Sequence, residues 1–336
     1  MVSLKDISKE CGVSVAAVSK ALHDAPDIGA ATKQHICSVA EKMGYFPNAS
    51  ARALKTKKTN NLGVVFKDEA GRGLTHEFFG AVLDSFKKEA ETHGYDITFI
   101  HNEMKNISFL NHCRYRNFDG AAIVCAPFAN KEIVELLDSD LPVVAIDYAY
   151  KGRTGVMSNN ANGMGEIVSY AYQQGHRRIA YIYGETSRVS SERVKAFYDT
   201  MKKFGLNVPD IYVRQGVFHD TNSSEKITGD LLELPEPPTC ILYPDDFSAL
   251  GGIAEINKRG LRIPENISIG GFDGSSLSSV LSPRLTTVWQ DTDQLGRETA
   301  RRLIQLIEHP ETALAEVVTI DTKIQIGESI GIYRET

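Results

Sequence analysis

Residues 51–58 read ARALKTKK and set Arg52, Lys55, Lys57 and Lys58 around one large apolar side chain, Leu54. Four cations so close together neutralise phosphates, and binding of that kind weakens as salt rises. The leucine is the odd member, because the stretch offers it no core. The other residue types that carry chemistry form no reaction centre. Cys11, Cys37, Cys113, Cys125 and Cys240 are scattered without a CxxC pair, which predicts free thiols and no disulfide framework. The histidines form no HxxxH or His/Cys cluster, so no metal and no cofactor is expected. Asp245 and Asp246 are adjacent, point in different directions, and make a poor acid/base pair. No GxGxxG follows a strand, and neither GxxxxGK[ST] nor GxSxG occurs, so no catalytic residue is expected.

These residues must be positioned by something larger. A chain of 336 residues exceeds one ordinary core and predicts two or three domains. Its apolar runs, such as GAAIVCA at 120–126, are too short to span a bilayer. The polar start MVSLKDISKE is unlike a signal peptide, so a cytoplasmic protein away from membranes is expected. Net charge is −6, but residues 1–60 carry nine Lys/Arg against five Asp/Glu, and the remainder 28 against 38. A basic head on an acidic body suggests one polyanion-binding module joined to a different kind of domain.

The head, residues 1–46, reads as three short helices. Ser3 with Asp6 opens LKDISKE, which turns Leu4 and Ile7 to one face and ends at Gly12. Ser14 caps VAAVSKAL, with Val18 and Leu22 facing the first helix. A third helix begins near Thr32, carries Ile36, Val39 and Met43 inward, and stops at Gly44. Two helices joined by a tight glycine turn form the helix-turn-helix pattern, whose second helix enters the major groove. That places Ser14, Val15, Ala16, Ser19 and Lys20 at the DNA. Val15 and Ala16 suit thymine methyls, and Lys20 suits guanine or phosphate.

The linker, 47–60, begins at Pro47, and Asn48 is suited to cap the alanine-rich ASARALK. About two helical turns are marginal alone in water, so the segment should be helical only against a partner. LKDISKECGVSVAAVSKALH followed by GYFPNASARALK resembles the head and hinge helix of the LacI/GalR family of bacterial repressors. The resemblance implies that paired hinge helices enter the minor groove of double-stranded, pseudo-palindromic operator DNA. Leu54 falls on the leucine that wedges a base step, and Asn48, Arg52 and Lys55 belong to the same DNA-binding set.

From Asn61 a βαβ rhythm runs twice, with strands such as NLGVVF, GAAIVCA, RIAYIYG and ISIGGFDG. It predicts two parallel-sheet subdomains with a ligand cleft between them. Stretches from THEFFGAVLDSF to LTTVWQDTDQLGRETARRLI resemble the periplasmic-binding-protein-like core of the same family, a pair of Rossmann-like subdomains. The resemblance implies an effector-binding and dimerisation core at 61–336. Its N-subdomain comprises about 61–159 and 292–320, its C-subdomain about 162–289 and 321–336, with crossings near 159–162, 290–292 and 320. It also implies effector positions: the aromatics Phe79 and Phe218, Asp147 at a strand end, Asn159 where the family usually has Asp, and the charged pair Arg193 and Asp246. Ser187, Tyr148, Trp289 and Gln290 are weaker candidates.

The expected protein is a ligand-responsive DNA-binding regulator, a repressor acting as a homodimer or a higher oligomer. Its small-molecule effector is expected to be a carbohydrate, with a nucleobase or sugar phosphate as alternatives. A transport-type solute-binding protein shares the body but lacks the head. A cytosolic α/β enzyme is the third reading.

Overall fold

The computed structural model describes residues 2–46, 53, 56–68, 73–101 and 107–334. The chain divides into two compact units, Met1–Thr59 and Asn60–Thr336.

In the first unit α1 spans Leu4–Cys11, α2 Val15–Leu22 and α3 Ala30–Lys42. Each boundary has a local cause. The Ser3 amide donates to Asp6 Oδ2 at 2.9 Å, closing the start of α1. Gly12 ends that helix with φ +63°, which glycine adopts without a Cβ penalty. Ser14 Oγ accepts from the Ala17 amide at 3.1 Å and caps α2. Ile7, Val18, Ala21, Ile36 and Ala40 are buried together, flanked by half-buried Leu4, Leu22, Val39 and Met43.

The second unit contains two six-stranded sheets. The first is ordered β11-β5-β4-β3-β1-β2, with β1 Asn61–Phe66, β2 Asp96–Ile100, β3 Gly120–Cys125, β4 Val143–Ile146, β5 Thr154–Ser158 and β11 Val317–Ile320. All its pairings are parallel. The second is ordered β12-β10-β9-β8-β6-β7, with β6 Ile179–Tyr183, β7 Val213–Gln215, β8 Cys240–Leu242, β9 Ser268–Asp273, β10 Thr286–Gln290 and β12 Thr322–Gln325. It departs from the all-parallel expectation at one edge, where β12 runs antiparallel to β10. The reason is connectivity: β12 follows β11 of the other sheet after one residue and enters without a crossover helix.

Near-continuous apolar strands bury both faces of a sheet. Leu62 and Val64 of β1 pack with α4 (Glu77–Thr92) and α12 (Thr292–Glu308), while Val65 faces α5 (Phe109–Arg116) and α6 (Lys131–Asp138). In the second sheet Ile179 and Tyr181 pack with α7 (Asn160–Gln173) and α8 (Arg188–Lys203). Ala180 and Ile182 face α9 (Thr221–Leu232) and α10 (Asp246–Lys258). The remaining helix, α11, is the short Ser276–Val280. The chain passes from the first sheet to the second after Ser158, returns after Gln290, and passes again between Ile320 and Thr322.

One helix shows how packing overrides propensity. Gly251 and Gly252 stand inside α10, where glycine costs about 1 kcal/mol against alanine. A Cβ on Gly251 would lie 1.9 Å from the Thr221 carbonyl of α9, and one on Gly252 1.8 Å from the Tyr243 hydroxyl. The glycines let α10 approach closely enough to fix its N-terminus, and with it Asp245 and Asp246. Gly251→Ala is therefore expected to destabilise the core by about 1–3 kcal/mol through overpacking, despite its better helix propensity. Urea unfolding of the full chain measures this, and a stabilised variant would contradict it.

Candidate functional site

In the head, the start of α2 faces water. Val15 is 38% exposed, and Ser14, Ala16 and Lys20 are exposed as well, while Ser19 is half-buried. An apolar residue kept in solvent costs stability unless it meets a partner. Lys20 forms an ion pair with Asp27, so a phosphate or base must replace that carboxylate to recruit it. Asn48, Arg52, Leu54 and Lys55 lie outside the described residues.

In the core, groups at the carboxyl ends of β4, β8 and β9 lie near one cation, and strand carboxyl ends are the usual ligand position in such sheets. The central group is Arg193 on α8, only 4% exposed. Its Nε donates to Asn160 Oδ1 at 2.7 Å and its Nη1 to the Pro244 carbonyl at 3.0 Å. The guanidinium stacks on the Phe272 ring, 3.4 Å from the centroid. These partners come from the start of α7 and the ends of β8 and β9.

Carboxyls lie in the same part of the core, and the Arg193 charge acts on two of them, Asp147 and Asp273. Asp246, fully buried, accepts from the Thr287 hydroxyl and from the Ser275 amide at 2.7 Å. Burial pushes its pKa up to about 7, against those hydrogen bonds. Asp147, half-buried at the end of β4, has φ +54°. Burial raises it to about 6, and the Arg193 charge opposes the rise. Asp273, with φ +108° at the end of β9, is held well above the carboxylate range by burial and then by the charges of Asp245 and Asp246. Asp245 is spent on structure: it caps α10 through the Ser248 amide at 2.7 Å and accepts from the His219 amide at 2.9 Å.

The remaining expected positions divide. Phe79, near the start of α4, meets Phe66 edge-on at 5.7 Å and His76 at 4.7 Å. Phe218 lies where a Cβ on Gly184 would be 2.2 Å from its ring, and its amide donates to Glu185 Oε2 at 2.9 Å. Asn159 sits at the chain crossing: its Oδ1 accepts from the Asn162 amide at 3.2 Å, and its Nδ2 donates to Asp321 at 3.3 Å. Asp147 and Asp273 both feel the Arg193 charge, and Asp246 acts on Asp273, while Asn159 is held at the chain crossing.

Several residues escaped sequence reading. His76 and His219 bring the two halves together, with ring centroids 3.6 Å apart. His219 also stacks against Phe247 at 5.3 Å, and the Ser276 amide donates to Glu77 Oε1 at 2.7 Å. No local pattern marks these contacts, and His76–His219 and Glu77–Ser276 join residues more than a hundred positions apart. Asn160 and Asp273 were visible, as a polar residue after an apolar strand and an acid in GGFDG. Two surface hollows, beside Cys113 and Asp140 and between Asn222 and Arg259, lie away from the strand ends. Among the described residues no group of three or more His, Cys, Asp or Glu is placed to hold a metal ion, and no helix is long and apolar enough to cross a membrane.

A helix-turn-helix head joined to two doubly wound sheets defines a type of bacterial transcription regulator. Comparison with known proteins gives the family. Residues 3–48 match the model of bacterial regulatory proteins of the lacI family, and 168–330 match a periplasmic binding protein-like domain. The chain is 30% identical over 335 residues to the probable HTH-type transcriptional repressor ExuR of Bacillus subtilis (strain 168), covering 98% of both chains. It is 28% identical to catabolite control protein A of Priestia megaterium, covering 98% of this chain and 99% of that one. The lac repressor dimer bound to operator and an anti-inducer superposes with TM-score 0.83 at 22% identity, over 98% of this chain and 99% of that one. A LacI family regulator from Enterococcus faecium, solved with bound ribose, superposes with TM-score 0.71 at 20% identity, over 82% of this chain and 100% of that one. The protein belongs to the LacI family and is a transcriptional repressor with a helix-turn-helix DNA-binding head.

The raised carboxyls carry a pH consequence. In the folded chain Asp246 and Asp147 keep protons to about 7 and about 6, whereas unfolded carboxyls lose them near about 3.9. The folded state binds more protons across that window, so the contribution of these groups falls as pH rises from about 4 to about 7. Asp246→Asn is expected to flatten this slope, measured as the urea midpoint at pH 5 and pH 7.5. An unchanged slope would refute the assignment.

Proposed function

We propose that the protein binds a pseudo-palindromic operator as a homodimer and that a carbohydrate bound in the crevice of the core controls this binding. The carrying observation is the buried Arg193 guanidinium, fixed by Asn160, Pro244 and Phe272 among carboxyls that burial leaves able to hold or release a proton. A guanidinium fork and a carboxyl pair well with vicinal hydroxyls. Phe79 and Phe218 offer aromatic faces for the C–H face of a sugar ring. The family relative with bound ribose supports the same chemistry. Two sheets that meet through small contacts such as His76–His219 form an interface able to rotate, and rotation is the route from crevice to hinge. The operator role places the repressor in the cytoplasm, on the nucleoid.

The test begins with selection of a duplex from random DNA by the full-length chain. Release of that duplex is then followed against neutral sugars, hexuronates, sugar phosphates and nucleobases, with thermal shift as the binding readout. A sugar that stabilises the protein and changes duplex affinity supports the reading. Chemical turnover of that sugar would favour an enzyme instead.

Leu54→Ala is expected to weaken the selected duplex by about tenfold, because a base-step wedge loses its unstacking contact, while random duplex binding stays within about twofold. Equal loss on both would remove the wedge role. Arg193→Ala is expected to abolish the sugar response with the head still binding DNA; an unaltered sugar affinity by calorimetry would rule out the effector site.

A further inference from the structure

We propose that Asn159 is a clamp joining the first and third chain crossings of the core, that it is not an effector ligand, and that the Asp321 carboxylate requires an amide there. The proposal rests on reading the core as a ligand-operated switch, since a clamp at the crossings positions the two sheets for that response.

The two sheets repeat one plan, so their crossings can be compared. The strand orders β2-β1-β3-β4-β5-β11 and β7-β6-β8-β9-β10-β12 correspond position by position. After the fifth strand of each, the chain leaves for the other sheet through a single residue that caps the next helix. That residue is Asn159 in the first half, with φ −73° and ψ 69°. In the second half it is Asp291, with φ −78° and ψ 80°. Each side chain accepts from the amide three residues on, Asn162 at 3.2 Å and Gln294 at 2.9 Å.

At such a cap aspartate serves as well as asparagine, and its charge gains from the helix dipole. The second crossing carries the carboxylate; the first does not. The difference lies in the neighbours. Asn159 is beside the third crossing, where its amide donates to the Ile320 carbonyl at 2.8 Å and its carbonyl accepts from Thr322 Oγ1 at 3.1 Å. Its Nδ2 donates to Asp321 Oδ1 at 3.3 Å. A carboxylate at 159 would lose that donor and face a like charge across the same gap. Both oxygens, the backbone N–H and the side-chain amide of Asn159 are thereby engaged by the crossings themselves. The second crossing is tied differently, through Gln290 Nε2 to Asp273 Oδ1 at 2.7 Å. The first and third crossings form one fastened unit and the second a separate one, two fixed points about which the sheets turn.

The test uses the full-length chain with Asn159→Asp, Asp321→Asn and the double variant, at pH 8. The first keeps the helix-cap acceptor and removes the donor; the double restores a donor–acceptor pair with reversed polarity. Urea unfolding confirms that each variant is folded. Hydrogen exchange is read on segments 156–164 and 318–326, with 288–296 as the internal control. We expect Asn159→Asp to speed exchange in both segments by about threefold or more, the range set by losing one hydrogen bond, with the control unchanged. The double variant should return both to near the wild-type rate. Unchanged exchange in Asn159→Asp, or a double variant no slower than the single, would overturn the clamp. Affinity for the duplex selected by the wild-type chain should follow the same order. If exchange follows the clamp while affinity is equal in all variants, the positioning role is overturned. A wild-type chain that selects no duplex would sink the repressor reading instead, and the exchange cycle would still decide the clamp.

Discussion

The core is organised around one buried charge. A guanidinium withdrawn from water is costly unless its hydrogen bonds and charge are answered. Arg193 is answered from several directions: an amide oxygen at the start of α7, a main-chain oxygen after β8, and an aromatic face on β9. Each partner belongs to a different segment, so satisfying the arginine fixes where those segments end. The surrounding carboxyls are half answered by the same cation, which is why Asp147 rises less than burial alone would dictate. This part of the core is therefore tightly constrained, and its carboxyls can hold or release a proton.

Much of this was legible beforehand. The first two helices of the head were readable because their signals are local: Ser3 with Asp6, Gly12 and Ser14 act within one turn of the helices they start or stop; the third, without a side-chain cap, starts at Ala30, two residues before the expected Thr32. Central strands such as β1 and β3 were readable because burial on both faces demands unbroken apolar runs such as NLGVVF. Four strands escaped: the central β5 (TGVMS) and β10 (TTVWQ), whose runs are short and broken by glycine or threonine, and the edge strands β11 and β12. β11 and β12 lie at sheet edges, where one side of each strand is open and polar residues are tolerated, and TKIQ carries no apolar run. The antiparallel edge followed from the order of connections, not from composition.

The site was legible in part. Arg193, Asp246 and Asp147 were identifiable through resemblance, and Asp147 lies where the Arg193 charge acts on it. Asn159 looked like a ligand residue in the linear order, yet its hydrogen bonds run to Ile320, Asp321 and Thr322, which no local pattern ties to it. The His76–His219 contact was equally hidden, since each histidine alone resembles an ordinary loop residue. Long-range pairings of single polar residues leave no periodicity, and sequence reading depends on periodicity.

The threefold crossing of the chain has a consequence for synthesis. Domains fold as units while the chain emerges from its N-terminus. The helical head needs only its first 46 residues to bury Ile7, Val18 and Ile36. Neither sheet of the core gains its last strand until Val317–Ile320 and Thr322–Gln325 have been made. The nucleic-acid-binding part is thus complete hundreds of residues before the part that would govern it. An unfinished chain presents a folded head before the core is whole, and the two sheets gain their last strands almost together.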